Sequence, residues 1–199
     1  MRFWVSANMA FLFFTVGSSP APAQTDVRQA PRPRRANELT LAGLRPGRDN
    51  AAAAILRYGK PDSRSSDNQS LGWVFEANDR AFYLNLDVDK ADVVQFIRVS
   101  QGRSPSEAIL AKHSSNFPHA WHTGHGLVAD ALASRVVELY GEPDSRSPST
   151  KDGQQLELLY YAFDWAGAAV PQVMEVLCTV AKDGKPGRVV EITLAAPSL

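Results

Sequence analysis

The chain has 199 residues, 44% hydrophobic and 21% charged, which is a globular composition and not that of a disordered or collagen-like chain. Its 21 Lys and Arg balance 21 Asp and Glu, so no general basic field points to nucleic acid. One cysteine excludes an intramolecular disulfide framework and any cysteine-based zinc cluster.

The first residues read as a targeting segment. Arg2 supplies a minimal positive region, and residues 3–16 are mostly apolar, densest at Phe11-Leu12-Phe13-Phe14. Ala21-Pro22-Ala23 then forms an A-x-A-like cleavage site. The apolar run is too short for a membrane span, so residues 1–23 are predicted to be a signal peptide and the destination periplasmic or secreted. No cysteine lies near the cleavage site to carry a lipid. Residues 24–37 follow as a basic, proline-rich linker with Arg28, Arg32, Arg34 and Arg35 against Asp26. This stretch lacks apolar periodicity and reads as a solvated tether, or as an arm touching anionic lipid or an acidic partner.

The folded part carries an internal repeat. Ile55-Leu56-Arg57-Tyr58-Gly59-Lys60-Pro61-Asp62-Ser63-Arg64-Ser65 returns 82 residues later as Val137-Glu138-Leu139-Tyr140-Gly141-Glu142-Pro143-Asp144-Ser145-Arg146-Ser147, with seven of eleven positions identical. Further on, Val93-Val94-Gln95-Phe96-Ile97 aligns with Val189-Val190-Glu191-Ile192-Thr193 at a shift of 96.

In the first copy Ala51, Ala54, Ile55 and Tyr58 mark one face of a helix capped by Asp49 or Asn50. In the second, Leu132, Val136, Leu139 and Tyr140 do the same for a helix predicted over residues 128–140. Gly59 and Gly141 fall where a helix needs a left-handed residue to stop, and Pro61 and Pro143 block its continuation. Strand-like runs follow at residues 71–75, 81–88 and 93–99, and again at 156–165, 172–181 and 188–194. The expected fold is therefore α+β, two tandem αβββ repeats, each a helix on a three-stranded antiparallel meander. The repeats span residues 38–101 and 127–199. Between them, residues 102–126 hold a short helix opened by the capping box Ser104-Pro105-Ser106-Glu107, then a histidine-rich loop.

The helix ending in Tyr-Gly-x-Pro, the meander behind it, and the lead-in Thr123-Gly124-His125-Gly126-Leu127 resemble the repeats of small exported bacterial proteins. The nearest named families are the BamE (SmpA/OmlA)-type outer-membrane lipoproteins and the β-lactamase inhibitory proteins. The resemblance implies this fold and a protein-binding role. The chain departs from the first family in lacking a lipid-bearing Cys and in having two repeats, and from the second in lacking disulfides.

Three clusters are candidates for chemistry. All four histidines fall within thirteen residues, and His119-x-x-His122-x-x-His125 offers three imidazoles to zinc or copper if the loop folds round. Asp87-Val88-Asp89-Lys90-Ala91-Asp92 alternates acids like a calcium loop but lacks the central Gly and distal Glu, and reads as a turn. No nucleophile motif or phosphate-binding loop is present, and Cys178 sits mid-strand among apolar residues as a structural thiol.

The predicted function is an exported, non-catalytic protein-binding or scaffold module of the bacterial envelope, with no cofactor and with another envelope or extracellular protein as partner. The alternatives are a metal-binding protein or metal-dependent enzyme using the histidine loop, or a carrier of a small apolar ligand. The strand around Tyr161 is apolar on both faces, one more than a one-sided meander needs. Tyr161, Phe163 and Trp165, with Arg146 at the adjoining turn, are therefore the predicted partner contacts.

Overall fold

The computed structural model describes residues 37–77, 80–103, 121–163 and 172–196. The first helix, α1, is Ala51–Tyr58, followed by strands β1 (Ser63–Arg64), β2 (Ser70–Ala77), β3 (Arg80–Val88) and β4 (Val94–Arg103). The second half repeats the order with α2 (Ala133–Tyr140), β5 (Ser145–Lys151), β6 (Gln154–Phe163), β7 (Gln172–Thr179) and β8 (Val189–Ala195). The signal-peptide, linker and capping-box segments lie outside the described residues.

The expectation of two tandem αβββ repeats is overturned. All eight strands form one antiparallel sheet in the order β1-β2-β3-β4-β8-β7-β6-β5. Two causes separate the expectation from the result. Each half owns a fourth strand, β1 or β5, built from the Ser-Arg-Ser of the repeat motif and lacking any apolar alternation. The last strands of the halves also pair with each other, Ile97 opposite Leu194 and Val99 opposite Ile192, so neither half has a sheet of its own.

The helices start and stop for the reasons read from sequence, with one exception. Asn50 caps α1 by accepting the Ala53 N–H at 3.0 Å. Gly59 and Gly141 close the two helices at φ 79° and 73°, where a side chain would be strained. Helix α2 is shorter than predicted. Asp130 takes φ 68° and Leu132 is extended, so the apolar periodicity of residues 128–132 runs through a turn.

The register defines what each sheet face carries. Across one face, paired residues run Leu71, Leu86, Ile97, Leu194, Met174, Tyr161 and, in the next row, Trp73, Leu84, Val99, Ile192, Val176, Leu159. These rows join Ala51 and Ala54 of α1, and Val136 and Tyr140 of α2, in a single core. Burying side chains of this size contributes roughly 1.5–3 kcal/mol each, which is why the strand runs were legible. The register also moves the repeat alignment by one residue: the bulged rungs place Val94 with Val189 and Phe96 with Glu191. A one-residue slip exchanges the faces of every side chain in a strand.

The Tyr-Gly of the duplicated motif docks each helix end on the sheet. Tyr58 packs edge-on against Trp73, with ring centroids 6.1 Å apart, and Tyr140 packs on Tyr161 at 5.7 Å. Trp73 Nε1 donates to the Gly59 carbonyl at 3.1 Å, and the Tyr161 hydroxyl donates to the Gly141 carbonyl at 3.1 Å. The motif is helix stop, strand anchor and fourth strand in succession.

Candidate functional site

Two of the predicted contact residues, Tyr161 and Phe163, do not reach the surface. Tyr161 is fully buried and Phe163 is 1% exposed; with Tyr140 they form one aromatic cluster under α2. Neither ring is available to a partner, because the core row to which Tyr161 belongs runs beneath the helices. Trp165 lies outside the described residues. Arg146 is exposed at the rim of the same helix-covered face, opposite Leu159, with its guanidinium held by Glu142 at 2.9 Å and Glu157 at 3.4 Å.

The apolar surplus of β6 is real, but it lies on the other face. Leu158 and Tyr160 point away from the helices and are half-buried. Their rows cross the whole sheet: Val74, Tyr83, Ser100, Glu191, Leu177 and Leu158 in one, Gly72, Asn85, Arg98, Thr193, Glu175 and Tyr160 in the other. A third row holds Asp87, Phe96, Ala195 and Val173, with Phe96 43% exposed.

This face is curved at one corner. Lys151 Nζ on β5 lies 2.5 Å from Glu191 Oε2 on β8, although β6 and β7 intervene. Three strand spacings of about 4.8 Å, plus the offset along the strands, exceed the combined reach of the two side chains on a flat sheet. The β5–β6 hairpin therefore leans over this face, which is helix-free among the described residues, and Leu156 on its inner side is 3% exposed. Arg98 Nε approaches the other Glu191 oxygen at 3.4 Å, so the carboxylate is bracketed by two cations.

A polar centre of a different kind sits at the base of α2. Glu38 is 1% exposed, and its carboxylate takes six donors. Oε1 accepts the backbone N–H groups of Leu39, Thr40 and Gly124 at 2.9–3.0 Å. Oε2 accepts the His125 N–H at 3.1 Å, His125 Nδ1 at 2.8 Å and the Tyr140 hydroxyl at 2.7 Å. Thr123 Oγ1 lies 2.6 Å from the same phenol oxygen and accepts the Leu127 N–H.

Burial alone pulls the Glu38 carboxyl upward. The bonds from His125, the Thr40 amide and Tyr140 outweigh it and hold the group below its ordinary value. The Tyr140 phenol is pushed well up, first by burial and then by the Glu38 charge, so it stays protonated. Sequence reading missed Glu38, since four of its six donors lie 86 to 102 residues away and no local spacing marks it.

The histidine loop is divided. His113 and His119 lie outside the described residues. His125 Nδ1 is committed to Glu38, and His122 Nδ1 lies 2.6 Å from the Thr123 carbonyl. Among the described residues no group of three or more His, Cys, Asp or Glu is placed to hold a metal. In the Asp87–Asp92 segment, Asp89 serves the turn itself, accepting from the Ala91 and Val93 amides and from Gln95 Nε2. Cys178 is fully buried, and burial pushes its thiol up to about 12. No helix among the described residues is long and apolar enough to cross a membrane.

No family model matches the chain, and no curated protein matches it. Solved structures that align with parts of the chain include the following. A DUF4309 family protein (YjgB) from Bacillus subtilis aligns with a TM-score of 0.42 and 12% identity over 80% of this chain and 87% of that one. A cysteine-rich secretory protein (SAV1118) from Staphylococcus aureus aligns with a TM-score of 0.40 and 10% identity, over 82% of this chain but only 48% of its own length. Neither match brings a function to this chain.

Proposed function

We propose that the chain is an exported, non-catalytic protein-binding module, and that its contact surface is the helix-free face of the sheet and not the strip from Tyr161 to Trp165. The observation that supports this is the position of Phe96: 43% exposed on a central strand, with half-buried Tyr83, Tyr160, Leu158, Leu177 and Val173 on the same face. An antiparallel sheet with one face in the core needs no apolar residues on the other. Aromatic residues on such a face, set among the polar and charged side chains of the same rows, fit a protein contact.

The occupant is a folded protein presenting a convex, mixed apolar and polar segment. Curvature at the Lys151 corner suits a protruding surface better than a flat one. The charged groups described on this face, Asp87, Glu175 and Glu191 against Arg98 and Lys151, are net acidic, which disfavours anionic lipid and nucleic acid. Export rests on the N-terminal sequence alone.

The test places a photo-crosslinking residue at position 96, with position 56 as control. Leu56 is 90% exposed on α1, on the opposite side of the sheet. The expected result in envelope extract is one protein captured from position 96, not from 56, and lost on Tyr160→Ser. Equal capture from both positions, or capture insensitive to Tyr160→Ser, overturns the reading.

A further inference from the structure

The six donors around Glu38 form a receptor that exists apart from the residue filling it. Four of them belong to the second half of the chain: the amides of Gly124 and His125, His125 Nδ1, and the Tyr140 hydroxyl. They converge on two oxygens held as a carboxylate holds them. Gly124 marks how close the approach is, since a Cβ there would sit 2.6 Å from Glu38 Oε1 and 3.0 Å from Thr40 Oγ1. The backbone is open on that side only because the residue is glycine.

Receptor and occupant come from different parts of the chain. Glu38 arrives on the segment that leads into the first half, and this segment otherwise meets the receptor loop through backbone bonds. Ala42 N donates to the His122 carbonyl at 3.0 Å, and the Gly124 N–H is shared between Glu38 Oε1 and the Thr40 carbonyl, the latter at 3.0 Å. These bonds and the isolated bridge between Leu41 and Thr123 hold the loop in place whatever fills the carboxylate position. The loop is further fixed from within, by the Thr123 N–H to the Leu127 carbonyl at 2.9 Å and by the Leu127 N–H to Thr123 Oγ1.

We propose that the Thr123–His125 loop and the Tyr140 hydroxyl form a carboxylate-binding site, which the chain closes with its own Glu38 and which takes a free small carboxylate when that side chain is withdrawn. The donor set selects the ligand. The Gly124 amide meets one oxygen, and the His125 amide, its imidazole and the Tyr140 phenol meet the other, which matches a planar two-oxygen anion and leaves a spherical halide without a second point of contact. The site is independent of the helix-free face and does not rest on the proposed function.

The test uses the full chain carrying Glu38→Ala, with sodium formate and acetate as probes and sodium chloride at equal ionic strength as control. The expected result is a saturable rise in Tm with formate that chloride does not produce, as binding to the folded state alone requires. The Gly124 and His125 amide resonances should shift with the same midpoint. The unaltered chain, already filled, should show neither effect, and adding Tyr140→Phe to Glu38→Ala should weaken the formate midpoint several-fold. If Glu38→Ala does not fold by itself, the refolded fraction is titrated against formate, and formate-dependent recovery supports the site. Formate behaving as chloride does, in either form of the experiment, overturns the proposal.

Discussion

The carboxylates of Asp62 and Asp144 do the same work in the two halves of the molecule: each accepts a strand N–H at 2.8 Å, from Val74 in one case and from Ala162 in the other. Each residue also gives its own N–H back to that strand, Asp62 to the Gly72 carbonyl and Asp144 to the Tyr160 carbonyl. The aspartate of the repeated Pro-Asp thus fixes the distance between helix end and sheet. Losing a hydrogen bond to a charged acceptor costs about 1.5–3 kcal/mol, less where water replaces it. Asp144→Ala, at a half-buried site, should therefore lower stability in urea more than Asp62→Ala at an exposed one. Equal losses would mean that the two halves do not differ in how they shield this bond.

Tyr161 separates the core reading from the contact reading. Tyr161→Ala removes a fully buried ring, and truncations of this size cost about 3–5 kcal/mol. Tyr161→Phe keeps the ring and loses the bond to the Gly141 carbonyl, about 1 kcal/mol. Thermal unfolding of the two variants should rank them in that order. A Tyr161→Ala protein melting like the parent would return the ring to the surface.

Stability should fall in acid through Glu38. Its folded carboxyl is held below the ordinary value of 4.5, so the stabilisation is complete well above that pH. It is lost as pH drops through 4.5 toward the lower folded value, because the unfolded chain then binds the proton first. Glu38→Gln removes this dependence and sets an amide donor against the Gly124 and His125 amides. The stability gap between parent and Glu38→Gln should narrow as pH falls below 4.5. Denaturant titrations at several pH values check it, and a gap that stays constant down to pH 3 would contradict it.

Gly124→Ala should destabilise the chain mainly through Glu38. The added methyl would lie 2.6 Å from Glu38 Oε1 and 3.0 Å from Thr40 Oγ1, and overpacking of this kind costs about 1–3 kcal/mol. Most of that loss should vanish when the substitution is made in Glu38→Ala, which a double-mutant cycle measures directly.

Cys178 should not react in the folded state. Its sulfur is fully buried, with the thiol pushed up to about 12, so little thiolate forms. Labelling by a thiol reagent should keep pace with global unfolding in denaturant. Labelling faster than unfolding would reveal a local opening around β7.

Much of the chain was legible because its signals are local. Both helix stops, the Asn50 cap and all six apolar strand runs follow from patterns within a dozen residues. The features that were missed are not local. Strand β5 reads Ser-Arg-Ser-Pro-Ser-Thr-Lys, with no apolar alternation, and only its Asp152-Gly153 turn, with φ 51° and 75°, marked a hairpin. The β4–β8 pairing joins residues almost a hundred positions apart. Two-sided hydrophobicity in β6 was read correctly as a surplus and placed on the wrong face, since Tyr160 and Tyr161 are adjacent and only the register tells them apart. Glu38 carried no pattern at all.

Pro148 sits in the middle of β5, opposite Glu157, on one border of the sheet. A proline nitrogen carries no hydrogen, and such a residue fits a strand only where that nitrogen faces outward. An incoming strand would meet a missing donor halfway along, with Arg146 and Lys151 near the two ends. The opposite border, β1, is two residues long and too short to template pairing. Among the described residues, the two outer strands therefore present few free donors to an incoming chain, and where β2 runs past β1 its Val74 N–H is already taken by Asp62.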